Sequence, residues 1–104
     1  MKDLYIIQSD VTGSFKVGRS KHIKKRLKQL QTGAAYSLKL ILSLPGQGNR
    51  ELSIHRRLRE MKFIDTKGEW FPYEALSWLP DDIYEQLDLE LVDRWWRHEK
   101  DQST

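Results

Sequence analysis

Arg26 and Glu51, which the sequence assigns to two successive helices, are the residues of this chain best suited to phosphate chemistry. In a helix of about 3.6 residues per turn, Arg26 lies beside the apolar stripe formed by Ile23, Leu27 and Leu30. An arginine neutralises a phosphate, and a carboxylate holds a hard divalent cation. If both helices pack on one sheet, the two groups can share one shallow site. The alternative is a partly exposed salt bridge at the helix–helix seam.

Other polar residues could support such a site. His55 lies one turn after Glu51 on the same helix flank, where it could assist the glutamate or contact a metal. A structural histidine hydrogen-bonded at the helix seam is the alternative. Arg19, directly after Gly18, is a candidate phosphate contact, with an exposed surface arginine as the alternative. Four lysines on and before the first helix predict sequence-independent attraction to a polyanion, although each can simply be solvated: Lys21, Lys24, Lys25 and Lys28.

Three strands must position these helices. Residues 4–7 and 15–17 are strand-like runs joined by turn-forming residues, which predicts a β-hairpin. Residues 38–44 predict a third strand, with Lys39 and Ser43 on one partly wet face. The first helix is expected from an N-cap at Ser20 to about Gln31, with Gly33 as terminator, and the second from about Asn49 to Met61.

The remaining chain predicts a docked C-terminal part. Residues 68–71 form a short buried segment in which Trp70 and Phe71 pack in the core or, alternatively, stack on a base. Residues 73–79 and 81–99 have helical patterns, and the apolar side of the second includes Ile83, Leu87, Val92, Trp95 and Trp96. We therefore expect an α+β fold with a small, largely antiparallel three-stranded sheet flanked by helices in β-β-α-β-α order. Residues 1–79 would form the main domain, with an acidic helix at 80–104 docked on it.

The composition describes a globular chain with a basic body and an acidic end. It has 104 residues, no cysteine and a formal net charge of +3. Residues 1–79 carry 15 Lys or Arg against 7 Asp or Glu, a balance of +8, and residues 80–104 carry 3 against 8, a balance of −5. A basic body suits a polyanion, because binding phosphates releases condensed counterions. A well-solvated surface is the alternative.

Four short motifs, in order, resemble the GIY-YIG nuclease superfamily. Tyr5 in the first strand and the Lys-Val-Gly segment at 16–18 resemble the two motifs that name the superfamily. Arg26 follows the glycine of that segment by eight residues, as the superfamily's catalytic arginine does. Glu51 begins the second helix after a third strand and a glycine-rich loop, where the superfamily places its metal-binding glutamate.

Three stretches look especially like the small phage and bacterial branch of that superfamily, namely residues 26–33, 51–55 and 68–71. The resemblance implies one Mg²⁺ or Mn²⁺ ion, held mainly by Glu51, that acts as a Lewis acid toward a phosphate. It also implies that Arg26 stabilises the transition state and that Tyr5 positions or deprotonates the attacking water.

The second motif departs from the superfamily pattern, because Lys16 stands where a second tyrosine is usual. If Ser9 pairs with Ser14, then Lys16 and Gly18 lie on the same sheet face as Tyr5. A lysine there can assist the tyrosine or bind phosphate directly, and the same change can mark a lost catalytic group. The first motif keeps its tyrosine and lacks its glycine.

The sequence thus favours a divalent-metal-dependent endonuclease that hydrolyses phosphodiester bonds of DNA, with RNA as a possible substrate. One alternative is a catalytically degenerate nucleic-acid-binding module of the same fold. Another is a protein-interaction domain whose partner meets the acidic last helix. No apolar run approaches the roughly 18 residues of a membrane span, and the N-terminus lacks the layout of a signal peptide. We expect a cytoplasmic monomer or weak homodimer, in the host cytoplasm if a phage encodes the chain.

Overall fold

The computed structural model describes residues 1–61, 70–90 and 92. Its elements, in chain order, are β1 (Asp3–Ser9), β2 (Phe15–Ser20), α1 (Ile23–Thr32), β3 (Leu38–Leu44), a 3₁₀ turn (Gly48–Arg50), α2 (Glu51–Glu60), β4 (Trp70–Phe71), a 3₁₀ helix (Tyr73–Trp78) and α3 (Asp81–Tyr84). Residues 68–69, Trp95 and Trp96 lie outside the described residues, as do residues 91 and 93–99 of the predicted last helix. None of the described helices combines the length and apolar character needed to cross a bilayer.

The strands form one antiparallel sheet in the order β3-β1-β2-β4. The hairpin turn has the predicted pairing, because the Ser9 N–H donates to the Ser14 carbonyl at 2.9 Å. The α+β class and the antiparallel sheet are therefore confirmed. The count of three strands is too low, since Phe71 pairs with Phe15 and Trp70 with Lys16 to add a short edge strand.

A β-bulge in β3 changes which of its residues share a face. Leu42 pairs with Ile6 while Leu40 pairs with Ile7, so Ile41 is the extra residue. The pairing partners place Ser43 opposite Tyr5 and Lys39 opposite Gln8, on different faces of β1. The expectation that Lys39 and Ser43 share one wet face is therefore wrong, because the bulge shifts the alternation by one residue.

The main core lies on the sheet face that α2 covers. Apolar side chains alternate along β1 and β2 on this face, and Ile54 and Leu58 of α2 pack against them. The same core takes in buried residues from β4, the 3₁₀ helix and the segment after it: Phe71, Ala75, Leu76, Leu79, Ile83, Leu87 and Val92. The opposite face carries α1, whose Leu30 lines a cavity together with Ser9, Leu38 and Trp70.

The helix boundaries differ from the prediction for local reasons. Ser20 remains in β2, paired with Asp3, and its Oγ accepts a hydrogen bond from the His22 N–H at 3.0 Å instead of capping a helix. His22 is the residue before α1, and Gly33 ends the helix as expected.

The second helix starts later than predicted, because Asn49 lies inside the 3₁₀ turn that precedes Glu51. The predicted helix over residues 81–99 is interrupted: α3 ends at Tyr84, and residues 85–88 separate it from residues 89, 90 and 92, which are helical again. The end of α3 is tightened by a bond from the Leu87 N–H to the Tyr84 carbonyl, and Leu87 lies in the core.

An ion pair joins the start of α2 to the start of α3. Both terminal nitrogens of Arg50 donate to the Asp82 carboxylate, at 2.7 and 2.9 Å. These hydrogen bonds, together with the charge of the guanidinium, hold the pKa of Asp82 below its ordinary value. The ion pair therefore fixes the position of Arg50, which directly precedes Glu51.

We expect Asp82→Asn to destabilise the fold at neutral pH and to lose that effect in acid. A carboxyl whose pKa is lowered by folding stabilises the fold above its ordinary value of 3.8 and loses this contribution as the pH falls through the folded value. We therefore expect the free energies of unfolding of wild type and Asp82→Asn, measured in urea between pH 7 and pH 2, to converge as the pH falls below 3.8. Asp81→Asn is the control for loss of a carboxylate at a helix start. A difference between wild type and Asp82→Asn that persists unchanged at pH 2 would contradict this account.

Candidate active site

Two helices and three strands present their ends at one edge of the fold, which we call the upper end. It is defined by the start of β1 and the ends of β2 and β3, because Asp3 pairs with Ser20 and Leu4 pairs with Leu44. Both α1 and α2 begin within a few residues of this end. The topology therefore places the first turns of both helices, which contain Arg26 and Glu51, at the same end of the sheet.

Tyr5 lies on β1 between small residues of the flanking strands. It is 2% exposed, it pairs with Gly18 of β2, and it lies opposite Ser43 of β3. A Cβ on Gly18 would come within 2.4 Å of both Cζ and Oη of Tyr5. The glycine is thus required by the close passage of the tyrosine ring, which is held over the end of β2.

Gly18→Ala should therefore destabilise the protein by about 1–3 kcal/mol, because the new methyl group overlaps a ring that has little room to move. Urea unfolding measures this directly. The loss of stability caused by Gly18→Ala should be smaller in a Tyr5→Leu background, since leucine lacks the overlapping Cζ and Oη atoms. A double-mutant cycle measures this coupling between residues 5 and 18.

Gly33→Ala is the matched control for this substitution. Its nearest neighbour would be 3.9 Å away and its φ of −88° suits alanine, so the change should be neutral or stabilising by up to about 1 kcal/mol. Gly18→Ala with wild-type stability would show that the tyrosine ring is not fixed against the glycine.

Lys16 lies on the same sheet face as Tyr5, as the hairpin register predicted. It pairs with Ile7 on β1 and with Trp70 on β4, and it is 6% exposed. Lys16 is two residues before Gly18, so it lies one step further from the upper end. The register thus makes Lys16 a diagonal neighbour of Tyr5.

Glu51 is held at the first position of α2 by contacts that fix the preceding loop. The Gly48 N–H donates to the Lys2 carbonyl at 2.9 Å, and a Cβ on Gly48 would be 2.7 Å from that oxygen. The Asp3 carboxylate accepts a bond from the Gly46 N–H at 2.8 Å. The start of α2 is therefore anchored against the start of β1.

Glu51 forms an ion pair with Arg19 of β2. Arg19 Nε lies 3.2 Å from Glu51 Oε2, and the two side chains are 42% and 12% exposed, respectively. The sequence offers Arg19 as a phosphate contact or as an exposed surface arginine. In the structure its guanidinium pairs with the carboxylate that is predicted to bind a metal.

Arg26 and the predicted phosphate-binding lysines are exposed. Arg26 lies in the first turn of α1, where its N–H donates to the His22 carbonyl. The apolar stripe of α1 is only half-buried, so the helix presents most of its surface to solvent. That surface carries the four lysines in exposed positions: Lys21, Lys24, Lys25 and Lys28.

His55 faces the core and does not point out of the upper end. It is 3% exposed, its Nε2 lies 2.8 Å from the Val17 carbonyl oxygen, and its ring packs edge-on against Phe71. Because a carbonyl only accepts, Nε2 carries the proton in this bond. This geometry matches the structural alternative for His55, which ties α2 to β2.

We therefore expect His55→Ala to destabilise the protein by about 2–4 kcal/mol, because it leaves a cavity and an unpaired buried carbonyl. His22→Ala, at an exposed position with no side-chain capping bond, should change stability by less than about 0.5 kcal/mol. The measurement is urea unfolding of both variants. A His55→Ala protein of wild-type stability that had lost metal affinity would instead favour the metal-binding role.

The donor set at the upper end fits a cation shared with substrate. Within the described ranges, no group of three or more His, Cys, Asp or Glu residues could hold a metal ion. Glu51 therefore offers one carboxylate rather than a complete cage. Mg²⁺ is commonly held by one or two carboxylates together with substrate phosphates and water, so this carboxylate fits such an ion.

Two features of the site escape sequence analysis. The Arg19–Glu51 pair joins a strand end to a helix start that are far apart in sequence, and only the packing of α2 on β2 brings them together. Arg50, directly before Glu51, was not selected as a site residue. Its bonds to Gln47 and Asp82 brace the start of α2 from the other side.

The family model of the T5orf172 domain matches residues 4–98, which is most of the chain. No curated protein and no solved structure matches it.

Proposed function

The chain belongs to the T5orf172 domain family, a phage-associated family found in nuclease contexts, and on this basis we propose that it is a divalent-metal-dependent endonuclease acting on DNA. The proposal includes the finer assignment to GIY-YIG-type chemistry. The observation that carries it is the upper end of the sheet. There, an anchored carboxylate, a basic helix start and a tyrosine held over a glycine lie at the ends of adjacent elements.

In the proposed reaction, water attacks a phosphorus atom of the DNA backbone and one P–O bond breaks, which releases a hydroxyl end. A divalent cation bound at Glu51 would supply Lewis-acid polarisation of the phosphate. Tyr5 positions the attacking water or, as a phenolate, accepts its proton at Oη, and the leaving oxygen takes up a proton from solvent. Arg26 donates hydrogen bonds to the phosphate oxygens as negative charge develops on them.

The exposed lysines of α1 would supply affinity rather than chemistry. They flank Arg26 on a helix that begins at the upper end, so a backbone bound along α1 would reach the end of the sheet at which Glu51 and Tyr5 lie. Such contacts are insensitive to sequence and weaken as salt increases.

Labelled single- and double-stranded DNA and RNA, incubated with the protein in Mg²⁺, Mn²⁺ or EDTA, test this proposal. Cleavage in metal that stops in EDTA and in Glu51→Ala supports the enzyme. Retention of nucleic acid without cleavage of any substrate would favour the degenerate binding module, for which Lys16 at the place of a second tyrosine is the supporting observation. No retention even at low salt would contradict both functions, because backbone attraction is strongest there.

A further inference from the structure

The ion pair at the upper end brings together two groups to which the proposed reaction gives different partners. Glu51 would bind the cation and Arg19 would bind a phosphate, yet the two side chains bind each other at 3.2 Å. A guanidinium and a divalent cation carry charges of the same sign. Both cannot stay close to one carboxylate without strong repulsion, especially where the carboxylate is largely shielded from water.

The two partners differ in their freedom to move. The Glu51 side chain is 12% exposed and starts a helix that is anchored through Gly48. The Arg19 side chain is 42% exposed, and Arg19 is the penultimate residue of β2. An arginine side chain on a strand end can reorient by rotamer changes at little cost in packing. When a cation enters, the arginine is therefore the group that leaves.

We propose that Arg19 and the divalent cation are alternative occupants of the Glu51 carboxylate. Without a cation, Arg19 neutralises Glu51 and keeps the site closed to weakly bound metal. When a cation binds together with a DNA phosphate, Arg19 leaves Glu51 and pairs with a neighbouring phosphate of the same strand. This inference rests on the proposed function, since it assumes that Glu51 is the metal ligand.

The exchange has a thermodynamic consequence. In the absence of DNA, the cation must displace Arg19 into water, which weakens metal binding. With DNA present, the released guanidinium gains a phosphate partner, so DNA and metal each strengthen the binding of the other by the same factor. Metal binding should therefore depend on nucleic acid more strongly in the wild type than in a protein without Arg19.

Arg19→Met tests the exchange, because methionine keeps an unbranched side chain and removes the charge. We expect Arg19→Met to bind Mn²⁺ about three- to tenfold more tightly than wild type in a titration with Mn²⁺ alone. Electron paramagnetic resonance measures the concentration of the free ion in this titration. Arg56→Met, which removes an exposed charge from the outer side of α2, should stay within about twofold of wild type. Addition of a non-cleaved phosphorothioate DNA should then enhance Mn²⁺ binding less in Arg19→Met than in wild type.

A second measurement follows the arginine itself. In wild type, Mg²⁺ should shift the NMR cross-peak of the Arg19 Nε–H group, and Glu51→Gln should abolish the response. Mn²⁺ affinity that is unchanged or weaker in Arg19→Met, or undetectable in both proteins, would overturn the proposal. Cleavage of DNA is measured separately. If Arg19→Met binds Mn²⁺ more tightly but the wild type does not cleave DNA, the exchange is supported and the nuclease function is rejected. If the wild type cleaves DNA but Arg19→Met has unaltered Mn²⁺ affinity, only the exchange is rejected.

Discussion

Glu51→Gln is expected to lower the single-turnover rate of DNA cleavage by at least about a thousandfold, because a neutral amide is a poor ligand for the cation that polarises the phosphate. Glutamine has the shape of glutamate, so it can occupy the same anchored position at the start of α2. Affinity for DNA in EDTA should remain or increase, since the substitution removes a negative charge and releases Arg19 for phosphate. The rate loss would therefore belong to the chemical step.

The control for Glu51→Gln is Glu60→Gln at the last residue of α2, which removes the same charge from an exposed position distant from the upper end. It should leave both the fold and the cleavage rate near wild-type values. A Glu51→Gln protein that cuts within tenfold of the wild-type rate would contradict the assignment of Glu51 as the metal ligand.

Arg26→Ala is expected to lower the same rate by about a hundred- to a thousandfold, with a smaller effect on DNA affinity, because the guanidinium acts on charge that develops in the transition state. Arg26→Lys should recover part of the loss at most, since an ammonium keeps the charge and lacks the planar fork of donors. Arg26 is exposed and outside the core, so neither variant should lower the free energy of unfolding by more than about 0.5 kcal/mol.

Lys24→Ala is the matched comparison, because Lys24 is also exposed in the first turn of α1. This variant should weaken DNA binding and reduce the slope of log binding constant against log salt concentration by about one unit. The rate at which bound DNA is cleaved should change little. Equal effects of Arg26→Ala and Lys24→Ala on the single-turnover rate would show that Arg26 is one phosphate contact among several.

The hairpin was predictable because its register follows from one turn. Pairing of Ser9 with Ser14 fixes the alternation along both strands, so the common face of Tyr5, Lys16 and Gly18 could be read from the sequence. The apolar stripes of the two helices were likewise local patterns. The fold class therefore followed from interactions between residues close in the chain.

Other parts of the site depend on tertiary contacts that the sequence does not encode locally. The bulge at Ile41 inserts one residue into β3 and moves Ser43 to the face of Tyr5, which simple alternation from Lys39 excludes. Ser20 has a residue type typical of a helix N-cap, but its pairing with Asp3 retains it in the sheet. The roles of Tyr5, Lys16, Arg26 and Glu51 in catalysis stay predictions.

The ion pair between Arg19 and Glu51 shows why residue roles are harder to predict than positions. Each residue alone has a plausible ligand in a nucleic-acid complex, and sequence analysis assigned those ligands separately. In the structure the two side chains pair with each other. A ligand assigned to either residue alone therefore leaves out the contact that the packing of α2 on β2 creates.

The central claim is that Arg26 and Glu51 serve one metal-dependent cleavage site, and a double-mutant cycle on the single-turnover rate tests it most directly. The wild type should cut DNA in Mg²⁺, and the protein carrying both Glu51→Gln and Arg26→Ala should be about as slow as the slower single variant, because residues that act as a unit have non-additive effects. Rate losses that multiply in the double variant, or a wild type that does not cut DNA in Mg²⁺ or Mn²⁺, would contradict the claim.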